Sequence, residues 1–199
     1  MKLLLCDRQG PLSQAWRERF ANQPNVEVIE GDICHVSCDA IVSPANSFGF
    51  MDGGLDQQLS LRFGWHLQDR VQAAIKSRPM GELLIGEALI VPTDDAAVPW
   101  LICAPTMRVP MRISTSIHAY LAMKALLIAA RDHRHEVPIE SVAVPGLGTG
   151  IGRIHPEIAA SQMWQAYAEV ILGQSHYPEN FARAQRDHVA LNRTTMLFD

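Results

Sequence analysis

Two short segments of this chain concentrate glycine among small polar residues. Ser43 to Gly54 holds Asn46, Gly49, Gly53 and Gly54; Pro145 to Gly152 holds Gly146, Gly148, Gly150 and Gly152 around Thr149. Without a Cβ, glycine lets backbone amides approach an anion closely, and a helix that begins just afterwards adds partial positive charge. Two carboxylates flank the first segment, Asp32 before it and Asp56 after it. Neither segment is diagnostic alone. No GxGxxG and no GxxxxGK[ST] occurs, which excludes the dinucleotide fingerprint and the Walker loop. Taken singly, the glycines are equally well read as tight turns.

The elements that must position these loops are legible as apolar runs. Residues 2–6, 26–29, 40–42, 88–91, 100–104 and 141–144 read as strands, and the central ones lack polar alternation, the mark of a sheet covered on both faces. Helices are expected over 11–22, 56–76, 116–131 and 155–172. In the second of these, Leu59, Phe63, Leu67, Val71 and Ile75 share a face, and Gly64 bends or splits it. Strand–helix alternation implies an α/β/α sandwich on a mixed, mostly parallel sheet. Each glycine segment follows a strand and precedes a helix, so two loops facing one crevice at the strands' carboxyl ends would clamp a diphosphate from both sides. Residues 1–175 are expected as one domain. Residues 176–199 are expected as a helical extension packed on it or trailing from it, with a helix over 181–191 and a loose segment from Asn192 to Asp199.

Composition narrows the function classes. A net charge of −4 argues against bulk electrostatic binding of nucleic acid, although it leaves a small nucleotide open. No window of 18 apolar residues exists to span a membrane, and the MKLLLC start is too short for a signal core, so a cytoplasmic protein with reduced Cys6, Cys34, Cys38 and Cys103 is expected. Cys34, His35 and Cys38 fall short of the four ligands of a structural zinc site, and neither a metal nor another cofactor is expected. His133 and His135, at a helix end, are expected in solvent. The sequence leaves the oligomeric state open.

Taken together the segments become specific. Glu30-Gly31-Asp32-Ile33, then Asp39-Ala40-Ile41-Val42-Ser43-Pro44-Ala45-Asn46, then Gly53-Gly54-Leu55-Asp56, and about ninety residues later Pro145-Gly146-Leu147-Gly148-Thr149-Gly150-Ile151-Gly152, resemble in order and spacing the GDI, DAIVNAAN, GGGVD and PALGTG segments of the macro domain family. The resemblance covers residues 26 to 172. It implies a three-layer α/β/α fold that binds ADP-ribose. Asp32 would accept from the adenine amino group beside the Ile33 backbone, the alternative being a turn or cap. Asn46 would bond the distal ribose, or open an Asx turn. Gly53, Gly54 and Leu55 would face the diphosphate across from Gly148, Thr149, Gly150, Ile151 and Gly152.

The resemblance also bears on chemistry. Hydrolases of the family are similar at Asp56, which would orient a water for attack at the anomeric carbon of the distal ribose, unless it is an ordinary acid in a first helical turn. Two readings follow: a hydrolase removing ADP-ribose from a protein, nucleic acid or metabolite, or a module that binds ADP-ribose without turnover. Departures weigh on the first. Ser43-Pro44 replaces Asn-Ala, Ser60 stands where those hydrolases often have His, and no lysine lies in the first loop. Phe48, Phe50 and Met51 make that loop apolar and would stack on the ligand or, as loose aromatics seek burial, pack as core or lid. Gly152 stands where many members carry an aromatic, so Arg153 is a candidate to replace that contact or to pair with phosphate. Arg108, after a strand, would reach the crevice rim or lie on the surface.

Overall fold

A computed structural model describes residues 1–193. The strands are β1 (Lys2–Asp7), β2 (Val26–Glu30), β3 (Ala40–Ser43), β4 (Leu89–Pro92), β5 (Trp100–Cys103) and β6 (Ser141–Val144). The helices are α1 (Gly10–Arg19), α2 (Gly54–Phe63), α3 (His66–Lys76), α4 (His118–Asp132), α5 (Pro156–Val170) and α6 (Phe181–Ala190). One sheet runs β2-β1-β6-β3-β5-β4, parallel throughout except for β4, which is antiparallel to β5. This is the mixed α/β/α architecture expected from the sequence.

Side chains of a strand alternate between faces, and both faces here are apolar. Leu3, Leu5, Val42, Ile102 and Val144 enter a core with α1, α4 and α5. Leu4, Cys6, Ile41, Leu101 and Ala143 enter a second core with α2 and α3. A strand sandwiched in this way has no solvent face, hence the unbroken apolar runs. Phe20 meets the rings of Trp164 and Tyr167 edge-on at 5.3 and 5.5 Å, locking α1 to α5.

The single helix expected over 56–76 is two helices. The chain breaks at Gly64, whose φ of +94° ends α2 in a conformation that suits glycine. His135 is exposed, as expected, but His133 is only partly so. Both flank the Trp100 ring with centroids 4.7 Å away, and burial holds the His133 imidazole below its ordinary pKa. The helix expected near the carboxyl end is α6, which buries none of its side chains; Gln162 Nε2 reaches past it to the Leu191 carbonyl at 3.1 Å. Of the segment expected to be loose, 194–199 lie outside the described residues. Among the described residues no helix is long and apolar enough to cross a membrane.

Candidate functional site

The parallel strands β1, β3, β5 and β6 end on the same side of the sheet, so the loops after them share one crevice. A cleft of about 490 Å³ opens there between the two glycine loops, and a second hollow of about 280 Å³ continues it past shared walls at Asp7, Gly54, Leu55 and Pro145. The segment after β5 stitches the loops together. Thr106 N donates to Ala45 O at 3.3 Å and Ser47 N to Arg108 O at 3.1 Å, while Ile113 N donates to Gly152 O at 2.8 Å.

The second glycine loop is held in shape by bonds that leave its tip free. Ile154 N donates to Gly148 O at 3.0 Å, and Gly148 has a φ of +70°. Among the described residues, nothing accepts from the amides of Thr149, Gly150, Ile151 or Gly152, and all four residues line the cleft. Across from them Gly53 is the N-cap of α2 and supplies no side-chain cap, so the first-turn amides are also left for an external acceptor. Among the described residues no lysine, arginine or histidine lines the cleft, so an anion there would be held by backbone amides and neutral side chains such as Thr149.

At the hollow's far end, Asp32 does two things at once. Its Oδ1 accepts from Cys34 N at 3.0 Å, capping the short 3-10 turn Ile33–His35, and its Oδ2 pairs with Arg8 Nη2 at 2.6 Å. The Cys34 amide first, and then Arg8, hold its carboxyl below the usual range. The cap and the hollow are therefore both real features of this residue; Ile33, itself buried, lines the same hollow.

Asp56 lies in the first turn of α2 and lines the cleft floor. Ser43 Oγ, fully buried at the end of β3, donates to Asp56 Oδ1 at 2.6 Å. Burial pushes the Asp56 carboxyl up to about 6, while the Ser43 bond pulls the other way by favouring the ionised form. Beneath them the buried Cys103 thiol is pushed up, by burial first and then by the Asp56 charge. Serine at 43 thus has a structural use that the sequence did not disclose.

The other expected residues are distributed unequally. Asn46 lines the cleft, but its side chain organises its own loop: Nδ2 donates to Phe50 O at 2.8 Å, and Oδ1 accepts from Phe48 N and Phe50 N at 3.2 Å. The Asx turn is realised. Gly152 can carry no side chain, because a Cβ there would stand 2.5 Å from the Gly148 carbonyl oxygen and 2.7 Å from Ile113 Cγ1. Arg153 does not take over the missing aromatic's place. It is exposed, has a φ of +58°, closes the turn through Gly150 O, and does not line the cleft. Arg108 turns away to Glu82 at 2.8 Å and caps the Phe48 ring at 4.9 Å. Met51 is core, and Ser60 is buried, donating to Met51 O at 3.1 Å.

Sequence reasoning missed the loop after β1. Asp7 Oδ2 accepts from Gly146 N at 3.0 Å, its Oδ1 accepts from Gln9 N at 2.9 Å, and a Cβ on Gly146 would meet that carboxylate at 2.7 Å. The available signal was a third strand–loop–helix junction, an apolar strand running into Asp7-Arg8-Gln9 just before Pro11. Thr106, Met107, Val109 and Pro110 also line the cleft; their signal was their place after an apolar strand, which had pointed only to Arg108.

The macro domain family model matches residues 42–163, the stretch that contains both glycine loops and the strands between them. The chain belongs to the macro domain family. A protein of Aquifex aeolicus is 31% identical over 139 residues, 70% of this chain and 78% of that protein. The O-acetyl-ADP-ribose deacetylase of Salmonella typhimurium is 28% identical over 128 residues, 63% of this chain and 68% of that enzyme. Among solved structures, the macrodomain of Mycobacterium tuberculosis DarG superposes with a TM-score of 0.59 at 26% identity, covering 70% of this chain and 87% of that one. In this macro domain the family's four sequence segments converge on the cleft and its continuation.

Proposed function

We propose that this macro domain binds ADP-ribose and hydrolyses the bond between its distal ribose and an attached group on a protein, nucleic acid or metabolite. The observation that carries the binding is the opposition of free amides at Thr149–Gly152 to the uncapped start of α2 across one cleft. A diphosphate bridges two such donor sets. From there the adenosine extends into the hollow towards Asp32, whose carboxylate accepts from the adenine amino group, and the distal ribose lies over Asp56.

For turnover, Asp56 supplies the base. Its carboxylate, together with a substrate phosphate, takes a proton from a water as the water oxygen bonds to the anomeric carbon. The bond from that carbon to the attached group breaks, and the departing group takes a proton back. A pKa of about 6 leaves the carboxylate ionised at neutral pH yet basic enough to accept that proton. The Salmonella relative's name gives an ADP-ribose ester as a second kind of substrate.

A reader without turnover is the second reading. It is favoured by Asn46, whose amide is engaged within its own loop rather than presented to a sugar. Calorimetry with ADP-ribose followed by single-turnover release from ester- and glycoside-linked substrates decides between them. Tight binding with no release makes the chain a reader.

A further inference from the structure

The mouth of the cleft is unlike its floor. Phe50, Val109 and Ile151 line it and remain 55, 45 and 59% exposed, and Pro110 lines it beside Val109. Large apolar side chains gathered at the opening of a binding cleft mark a contact surface more than chance exposure does. They come from the first glycine loop, the bridge after β5 and the second glycine loop. The bridge is tied down on either side of Val109-Pro110, by Ser47 N to Arg108 O and by Ile113 N to Gly152 O, so the apolar positions are held by the same bonds that shape the anion site. This end lies away from the Asp32 hollow, so what is attached to the distal ribose must pass it. Arg108 pairs with Glu82, no cation lines the cleft among the described residues, and the charge on the cleft wall there is Asp52. An acidic attachment would meet repulsion and apolar surface.

We propose that this mouth receives an uncharged acyl chain, and that the favoured ligands are O-acyl-ADP-ribose esters with chains longer than acetyl. The inference rests on the reading of the cleft as an ADP-ribose site. A fully buried methylene is worth about fourfold in affinity. On a half-open rim about twofold each is expected, so four added methylenes, from acetyl to hexanoyl, give on the order of tenfold.

The test is calorimetry at low temperature with ADP-ribose and its acetyl, butyryl, hexanoyl and 6-aminohexanoyl esters. It uses the Asp56→Asn chain, so that esters survive the titration, and the same chain carrying Phe50→Ser and Val109→Ser. Affinity is expected to climb with chain length, and the hexanoyl-to-acetyl ratio to collapse towards one in the rim variant. That ratio is internal to each protein, so a change in its affinity for ADP-ribose itself cancels. ADP-ribose that binds while its esters show a flat or falling series overturns the proposal and leaves the site reading standing. So does a rise that survives the rim substitutions, or a preference for the aminohexanoyl ester, which would mean that Asp52 reads a cation. No binding of ADP-ribose or of any ester overturns both.

Discussion

Replacing Asp56 by Asn should make this protein more stable, and only where the carboxylate is charged. Raising the Asp56 pKa from an ordinary 3.8 to about 6 penalises the ionised form by about 3 kcal/mol at 1.36 kcal/mol per pKa unit. The sign follows from linkage: the folded state binds the proton more tightly than the unfolded chain. The penalty is therefore absent below about 3.8, accumulates as pH rises through about 6, and is complete above it. Asparagine keeps an oxygen for the Ser43 hydroxyl and carries no charge, so it escapes the penalty. With about 3 kcal/mol as the ceiling, and roughly 2–4 °C per kcal/mol for a chain of this size, a Tm gain of about 5–10 °C is expected at pH 8, shrinking towards zero near pH 4. Thermal unfolding by circular dichroism across that range for both proteins measures it. A variant no more stable at pH 8 than at pH 4, relative to wild type, would mean that Asp56 is an ordinary first-turn acid and that its place in the mechanism is wrong.

Ser43→Ala removes the hydrogen bond that favours the charged form, so the Asp56 pKa should rise further and the acid limb of a single-turnover pH profile should move to higher pH; an unmoved limb separates Ser43 from the chemistry. Asp32→Ala should weaken ADP-ribose binding by roughly 1–3 kcal/mol and erase any preference for adenine over hypoxanthine nucleotides, as read by competition calorimetry; a preference that survives removes Asp32 from base recognition. Gly148→Val should destabilise the fold rather than merely block the cleft. The new Cβ would meet Ile154 Cδ1 at 2.7 Å at a φ of +70°, and a Tm within 2 °C of wild type (a stability change under about 1 kcal/mol) would contradict that. Ser60→Ala should lower Tm by roughly 2–4 °C, the loss of about 1 kcal/mol from one buried hydrogen bond, while turnover per folded molecule is unchanged.

What could be read in advance follows from how local each feature is. The strands announced themselves because both faces of the sheet are packed. Even the break at Gly64 was legible, since only its outcome, bend or split, depended on context. The glycine loops were visible as composition and specific as an ordered set. The contacts that cross the chain were not visible. Asp7 meets Gly146 across 139 positions, Ser43 meets Asp56 only because β3 ends where α2 begins, and Trp100 draws His133 and His135 onto its ring. Arg153 depends on context for a related reason. Adjacency to a binding loop suggested a ligand contact, but a residue that closes a turn in a left-handed conformation points where the turn sends it.

Gly150 offers the most direct test of the central claim, because a Cβ there meets nothing within 4 Å and the residue lines the cleft. Leucine at that position should leave the fold intact and fill the space where a diphosphate would approach the backbone. Titrating ADP-ribose into wild type and Gly150→Leu by calorimetry should give saturable binding at one site per chain in wild type and none in the variant, with both proteins melting alike. Wild type that shows no saturable heat at millimolar ADP-ribose, or a folded Gly150→Leu that binds as well as wild type, would contradict the account.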